Sequence, residues 1–313
     1  YLPVYMIEGA SYFEKYEDIN KIEIEKYIIP FLQIPKKLPL PDKIQMLVEF
    51  ITKVKPYYIL SVGNGSMLAD LCGNIIPCAS MSVVFSSVPK TKNKMKILGR
   101  KLKEEEKELY IGDDVIESRF TFELKPQKEY YLRKDKELPG DRFILVVVGT
   151  RLEFEIDSNF MTMLSDVCSK GCYVVFAGIM DNYSSLMEEY PVVSDNSSFI
   201  GYCDDILALM EICDLYVNPD RLGGGFSVIE AFAKGKPGVY LNRGDVYTAG
   251  GENFVVGSFD KMAEQILKYK DNKEYYNTMS RLAKERAKLM TSSKEAIEDI
   301  DRRICQRVEE YYW

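Results

Sequence analysis

The sequence predicts an α/β protein made of two Rossmann-like domains. Three observations carry that reading. A chain of 313 residues fits two domains of ordinary size, and its 46% of apolar residues is ample for two packed cores. From Arg142 onward, short apolar runs alternate with helical patterns, as in a doubly wound parallel sheet. The stretch from Leu215 to Tyr240 sets an apolar run, a bare glycine loop and an amphipathic helix end to end.

Taken in order, residues 1–7 read as a strand closed by Glu8-Gly9. Residues 18–29 have helical spacing, and Pro30 to Pro41 is a proline-punctuated extended loop. Asp42 opens a helix to about Val54, and Tyr57 to Val62 is a strand. Gly63-Asn64-Gly65-Ser66 leads into a helix over residues 67–71, with Ser66 at the cap position. Gly63, Gly65 and Ser66 are either the acceptor-side wall of a cleft or an ordinary βα turn. Ser80 to Phe85 is a further strand. Lys90 to Glu108 is densely charged and reads as a solvated helix, with a membrane-surface helix as the other option. The polar stretch Lys125 to Asp141 holds a Pro-Gly and marks the domain boundary: residues 1–135 before it, residues 136–313 after it.

Phe143 to Val148 is a continuous apolar strand, the mark of a sheet covered on both faces. A helix over 160–168, a strand over 172–176 and a helix or turn over 180–190 follow. Then come a strand over 198–202, a helix over 206–213 and the strand Leu215 to Val217. Beyond the glycine loop, Phe226, Ile229 and Phe232 share a helix face, and Gly235 with Pro237 ends it. Gly238 to Leu241 is the last long strand, and Arg243 to Asn253 reads as a glycine-rich loop. Helices over 260–269, 274–289 and 294–313 close the chain.

A strand, a glycine loop and a helix N-terminus together make an anion site, because free N–H groups and the helix dipole converge there. Ser227 lies in the first turn of that helix, and Glu230 one turn further in. The string Pro219, Gly223 to Gly225, Glu230, Gly235, Pro237 resembles the donor segment of the two-Rossmann (GT-B) glycosyltransferases, the glycosyl transferases group 1. That family's first glutamate, eight residues before the second, falls here on Leu222.

The resemblance implies two domains facing a cleft, and a last helix returning to the N-terminal domain. It implies a nucleoside diphosphate sugar as donor, UDP by family frequency, and a hydroxyl or amide acceptor on a glycan, lipid-linked carrier or protein. Its donor residues map onto Gly149, Thr150 and Arg151, then Gly178, Tyr202 and Arg221, and then Gly223, Gly224, Gly225, Phe226, Ser227 and Glu230. Glu230, Asp245 and Arg151 are the candidates for catalytic work. Asp245 can contact the sugar where Leu222 supplies no carboxylate. The family mostly retains configuration; inversion needs a carboxylate base, for which Glu8, beside a glycine turn, is the N-terminal candidate, and Glu8, Gly63, Gly65 and Ser66 are the acceptor-side residues.

Composition limits the alternatives. A net charge of −7 argues against a general nucleic-acid binder. No histidine is present, which excludes every mechanism that uses a histidine base. The 7 cysteines are scattered in apolar surroundings, as in the reducing cytoplasm. Cys168-x-x-x-Cys172 lacks a second pair, and Asp113-Asp114 and Asp204-Asp205 lack the Asp-x-Asp form, so no metal and no cofactor are expected. No apolar run spans a bilayer, no leader is visible, and location at the inner membrane face remains open. The chain opens at Tyr1, so upstream residues are expected to be missing. Two rival functions stay open: a catalytically weak GT-B subunit that binds a partner transferase or acceptor protein, and a sugar-nucleotide epimerase, disfavoured by the absent histidine.

Overall fold

The computed structural model describes residues 5–7, 16, 19–24, 26–35, 37–63, 65–85 and 87–312. They form two compact units. The first takes Tyr1–Val83, Ser87–Ser118 and Ile300–Trp313; the second takes Val84–Ser86 and Arg119–Asp299. Residues 119–135, counted with the N-terminal domain from the sequence, group with the second unit. Phe120, Phe122, Leu124 and Tyr131 pack on its core.

In the first unit, β1 (Tyr5–Ile7), β2 (Lys21–Ile24) and β3 (Tyr27–Gln33) form a small sheet with β3 in the middle. The helix α1 (Leu40–Val54) follows, burying Leu47 and Ile51. A second sheet is parallel throughout, with β4 (Ile59–Val62), β5 (Cys78–Met81), β6 (Met95–Leu98) and β7 (Asp114–Glu117) side by side in chain order. Helix α2 (Met67–Cys72) lies in the β4–β5 crossover and α3 (Glu104–Lys107) in the β6–β7 crossover.

Two expectations fail here, each for a local reason. The helix expected over 18–29 is the hairpin β2–β3, because Lys21-Ile22-Glu23-Ile24 alternates with period two and pairs across to Tyr27–Pro30. The charged segment 90–108 is not one helix: β6 runs through it fully buried. Lys96 sits in that strand because its ammonium lies 2.7 Å from Asp113 and donates to the Asn93 carbonyl at 3.0 Å. Gly63 and Ser66 build the β4–α2 turn. The Gly63 N–H donates to the Met81 carbonyl (2.9 Å), and Ser66 Oγ accepts from the Ala69 N–H (2.9 Å). Gly65 passes so close to the Lys90 carbonyl that a side chain does not fit. Glu8 lies outside the described residues.

The second unit holds β8 (Phe143–Gly149), α4 (Leu152–Glu155), α5 (Ser158–Ser169) and β9 (Cys172–Gly178). Next come α6 (Tyr183–Glu189), α7 (Pro191–Ser194), β10 (Ser197–Phe199), α8 (Ile206–Ile212) and β11 (Leu215–Val217). After these follow α9 (Gly225–Ala233), β12 (Gly238–Leu241), α10 (Gly244–Gly250), β13 (Val255–Val256), α11 (Phe259–Asp271) and α12 (Lys273–Met290). The sheet order is β10-β9-β8-β11-β12-β13, every pair parallel. Ile144 to Val147 are fully buried, since helices cover both faces of the sheet.

The order reverses between β8 and β11. At such a switch point the loops leaving two neighbouring strands diverge and open a crevice at the carboxyl edge. The expected loop over 243–253 is largely the helix α10. Val246, Ala249 and Gly250 bury one face of it, a spacing that glycine content had masked. The last helix, α13 (Ser293–Tyr312), begins in the second unit and ends in the first. Among the described residues no helix is long and apolar enough to cross a membrane.

Candidate functional site

The candidate site forms at the carboxyl edge of the second unit's sheet, around its switch point. From β11 the chain runs through Asn218 to Gly224, and α9 then starts at Gly225. Gly224 takes φ +98°, a left-handed conformation, and a Cβ there would strike Asn218 Oδ1. No side chain caps α9, and its first internal bond is the Val228 N–H to the Gly224 carbonyl. The N–H groups of Gly225, Phe226 and Ser227 therefore head the helix without an intrahelical acceptor. Phe226 is 43% exposed and meets the Phe122 ring edge-on at 5.5 Å.

Arg221 does not face outward. It is 8% exposed, and its guanidinium donates to Asn218 Oδ1 (2.9 Å), Glu155 Oε2 (2.6 Å), the Val148 carbonyl (2.6 Å) and the Tyr216 hydroxyl (3.2 Å). It is thus a clamp between the ends of β8, α4 and β11, which corrects its sequence-based reading as a phosphate ligand. Glu155 has a second partner: Arg151 Nη2 at 3.2 Å. Arg151 itself is largely exposed, at the N-cap of α4.

The neighbouring loops close on the same edge. Gly178, at the end of β9 with φ +126°, touches the Gly149 carbonyl so closely that no side chain fits. Gly149 lies against Arg221 and Leu152. Gly225 lies against Asp245, with a Cβ position 3.1 Å from the Asp245 Cβ, and the Asp245 N–H donates to the Leu222 carbonyl at 2.7 Å. So Gly178, Gly149 and Arg221 are in direct contact, Arg151 joins them through Glu155, and Gly225 with Asp245 joins them through Leu222. Thr150 is exposed beside Arg151, Gly223 and Ser227 are half-buried, and Tyr202 is 68% exposed in the loop after β10.

Glu230 lies one turn inside α9 and is only partly exposed. Burial pushes its carboxyl up to about 8, with Asp205 adding to the rise and Lys125 opposing it. It therefore stands beside the Asp205 loop and the extended segment that carries Lys125. Asp205 caps α8 through the Ala208 N–H (3.2 Å) and also accepts from the Glu129 N–H (2.8 Å), fixing that segment in place. The acidic pairs singled out in the sequence are structural: Asp113 pairs with Lys96, and Asp114 pairs with Arg307 at 2.7 Å. Among the described residues no three acidic, thiol or imidazole groups gather as metal ligands.

Residues 131–286, which hold all of these loops except Lys125 and the first residues of its segment, match the family described as glycosyl transferases group 1. The chain belongs to that family. Its GT-B fold is shared with a glycosyltransferase from Rickettsia africae ESF-5, at 12% identity and a TM-score of 0.64 over 90% of this chain and 86% of that one. HepE of Anabaena, crystallised with UDP, matches at 15% identity and 0.63, over 89% and 86%. Sucrose-phosphate synthase from Thermosynechococcus elongatus matches at 15% and 0.56, over 95% and 85%. No curated protein sequence matches the chain. As a group 1 glycosyltransferase, the protein transfers sugars.

Residue types alone missed four members of the candidate site. Glu155 had a signal, four residues after Arg151 on a helical stretch. Asn218 and Tyr216 lie at the end of a strand, where only the fold turns them onto Arg221. Lys125 had none, because its partner lies more than a hundred positions away.

Proposed function

We propose that this glycosyltransferase takes its sugar from a nucleoside diphosphate sugar, UDP-linked, and that the diphosphate sits on the head of α9. The uncapped helix start behind Gly223 and Gly224, at the sheet's switch point, carries this reading. Gly225, Phe226 and Ser227 offer N–H donors to the phosphates, and Arg151 adds a charge-assisted contact. Charge that develops on the departing diphosphate is met by groups already in place, so the step needs no metal and no cofactor. Glu230, whose carboxyl burial pushes up to about 8, donates or accepts at the ribose. Tyr202, standing exposed, stacks on the base. Asp245 faces the transferred sugar. HepE, which binds UDP, supports the choice of nucleotide.

Calorimetric titration of UDP with and without EDTA tests the reading. The expected result is UDP binding unchanged by chelation; affinity that vanishes with EDTA sinks the metal-free part, and no binding sinks the donor. A donor screen with a hydrolysis assay then identifies the sugar. The acceptor is a hydroxyl or amide, and the buried thiols fit work on the cytoplasmic side. One observation favours a second reading, a weakly catalytic subunit that binds acceptor or partner: Leu222 brings no carboxylate to the sugar. UDP-sugar binding with no turnover on any acceptor supports that version.

A further inference from the structure

Helix α9 and its C-cap carry Phe226, Glu230 and Lys234 four positions apart, so the three side chains form one row along the helix. An extended segment of the second unit lies beside that row. Phe122 sets its ring edge-on against Phe226 at 5.5 Å, and Gln127 accepts a hydrogen bond from the Lys234 ammonium. Five residues of extended chain reach at most about 17 Å, and the positions from Phe226 to Lys234 rise about 12 Å, so the segment follows the row with little slack. Lys125, between Phe122 and Gln127, therefore falls opposite Glu230. The segment is pinned on both sides of it. The Phe122 N–H donates to the Met290 carbonyl (2.8 Å), and Asp205 Oδ2 accepts the N–H groups of Lys128 (2.5 Å) and Glu129 (2.8 Å). Burial raises the Glu230 carboxyl, Asp205 adds to the rise, and Lys125 opposes it. The other charged groups on elements packed against α9 stand at its ends: Asp245 of α10 beside Gly225, Glu211 of α8 at 3.6 Å from Lys234, and Lys284 of α12 beside Gly235. The phenols of β11 and β12, Tyr216 and Tyr240, are fully buried and donate to Asn218 and the Gly251 carbonyl.

Resting on the donor reading above, we infer that Lys125 is a positioning residue: it holds the Glu230 side chain as a carboxylate that accepts from the hydroxyls of the donor's ribose. Desolvation and the like charge of Asp205 both disfavour that carboxylate, and a lysine fixed across from it offsets them. As a carboxylate, Glu230 accepts charge-assisted bonds, which are stronger than those of a neutral acid. Lys125 meets no reacting atom, and its effect passes through Glu230. It also precedes residues 131–286, so it lies outside the stretch that matches the family.

The test measures the affinities of UDP and 2′,3′-dideoxy-UDP by calorimetry between about pH 5.5 and 8.5. Their ratio cancels the titration of the phosphates they share and leaves the ribose contact. Wild type, Lys125→Met, Lys125→Arg, Glu230→Gln and the double variant Lys125→Met with Glu230→Gln are compared, after thermal melts confirm folding. In wild type the ratio rises with pH as Glu230 ionises. Lys125→Met lowers the ratio at neutral pH by about two- to fivefold, the scale of one exposed ion pair, and moves the rise to higher pH. Lys125→Arg keeps the wild-type profile. Glu230→Gln gives a low, flat profile, to which Lys125→Met adds nothing. A wild-type profile in Lys125→Met overturns the inference, as does a loss that persists in the Glu230→Gln background or a wild-type ratio that ignores pH; each leaves the donor reading intact. Absence of UDP binding in wild type overturns both.

Discussion

Glu155 holds two arginines with one carboxylate, one buried and one free to move. Replacing it with Ala leaves Arg221 as a buried cation without its ion partner, a change that typically costs about 3–5 kcal/mol. Denaturant unfolding should show that loss. The exposed partner behaves differently. Arg151→Ala should leave stability nearly unchanged, since it removes only an exposed ion pair. It should weaken UDP by about 1.5–3 kcal/mol, roughly ten- to a hundredfold, and uridine hardly at all. Equal losses for both ligands would assign Arg151 to the base pocket instead. Glu230 makes a pH-dependent prediction. Its folded-state pKa, about 8, lies above the unfolded carboxylate value, so the folded state holds a proton that the unfolded state releases. Its ionisation therefore costs stability as pH rises from about 4.5 to 8. Glu230→Gln should raise the melting temperature relative to wild type at pH 8.5 and less so at pH 5, while weakening UDP. A variant with the wild-type pH profile and UDP affinity would make Glu230 a bystander.

Among the elements, α9 concentrates the site, and Gly224 is its narrowest point. Gly224→Val forces a β-branched side chain into a left-handed turn against Asn218 and Tyr216. It should cut UDP affinity at least tenfold and lower stability together, because the same atoms support the Arg221 clamp. Most strands and long helices of the second unit were legible in the sequence because each announced its own period. Ile144 to Val147 read as a doubly covered strand, and Leu215–Val217 and Gly238–Leu241 were found with their observed limits. What stayed hidden depends on partners far along the chain. Lys96 is tolerable in a buried strand only because Asp113 meets it, so a charged stretch read as a solvated helix. Arg221 beside three glycines suggested a phosphate ligand, and only the fold shows that Glu155 and Val148 claim its donors. Gly244 and Gly250 made α10 look like a loop, although Gly250 allows the Tyr240 hydroxyl to pass and reach the Gly251 carbonyl at 2.8 Å.

At the scale of the molecule, the first unit is finished by the last helix. Ile300, Ile304 and Val308 are buried, Arg307 pairs with Asp114, Arg303 donates to the Glu117 carbonyl at 2.8 Å, and Tyr58 donates to Asp301 at 2.6 Å. A chain ending at Asp299 should keep UDP binding in the second unit and lose the first unit's unfolding transition, read by calorimetric scanning. Retention of both transitions would show the helix to be dispensable.

The division of α13 also bears on how the protein is made. A ribosome releases domains in order, and the N-terminal one ordinarily folds while the rest is still being synthesised. Here the edge strand β7 must wait for α13 from Ile300 onward, which emerges after the whole of the second unit. The second unit, complete by Asp299, can fold before the first. Until α13 emerges, the nascent first unit has the ground of Ile300, Ile304 and Val308 uncovered, open to chaperones. A stop codon just after Asp299 would thus damage the first unit rather than the second.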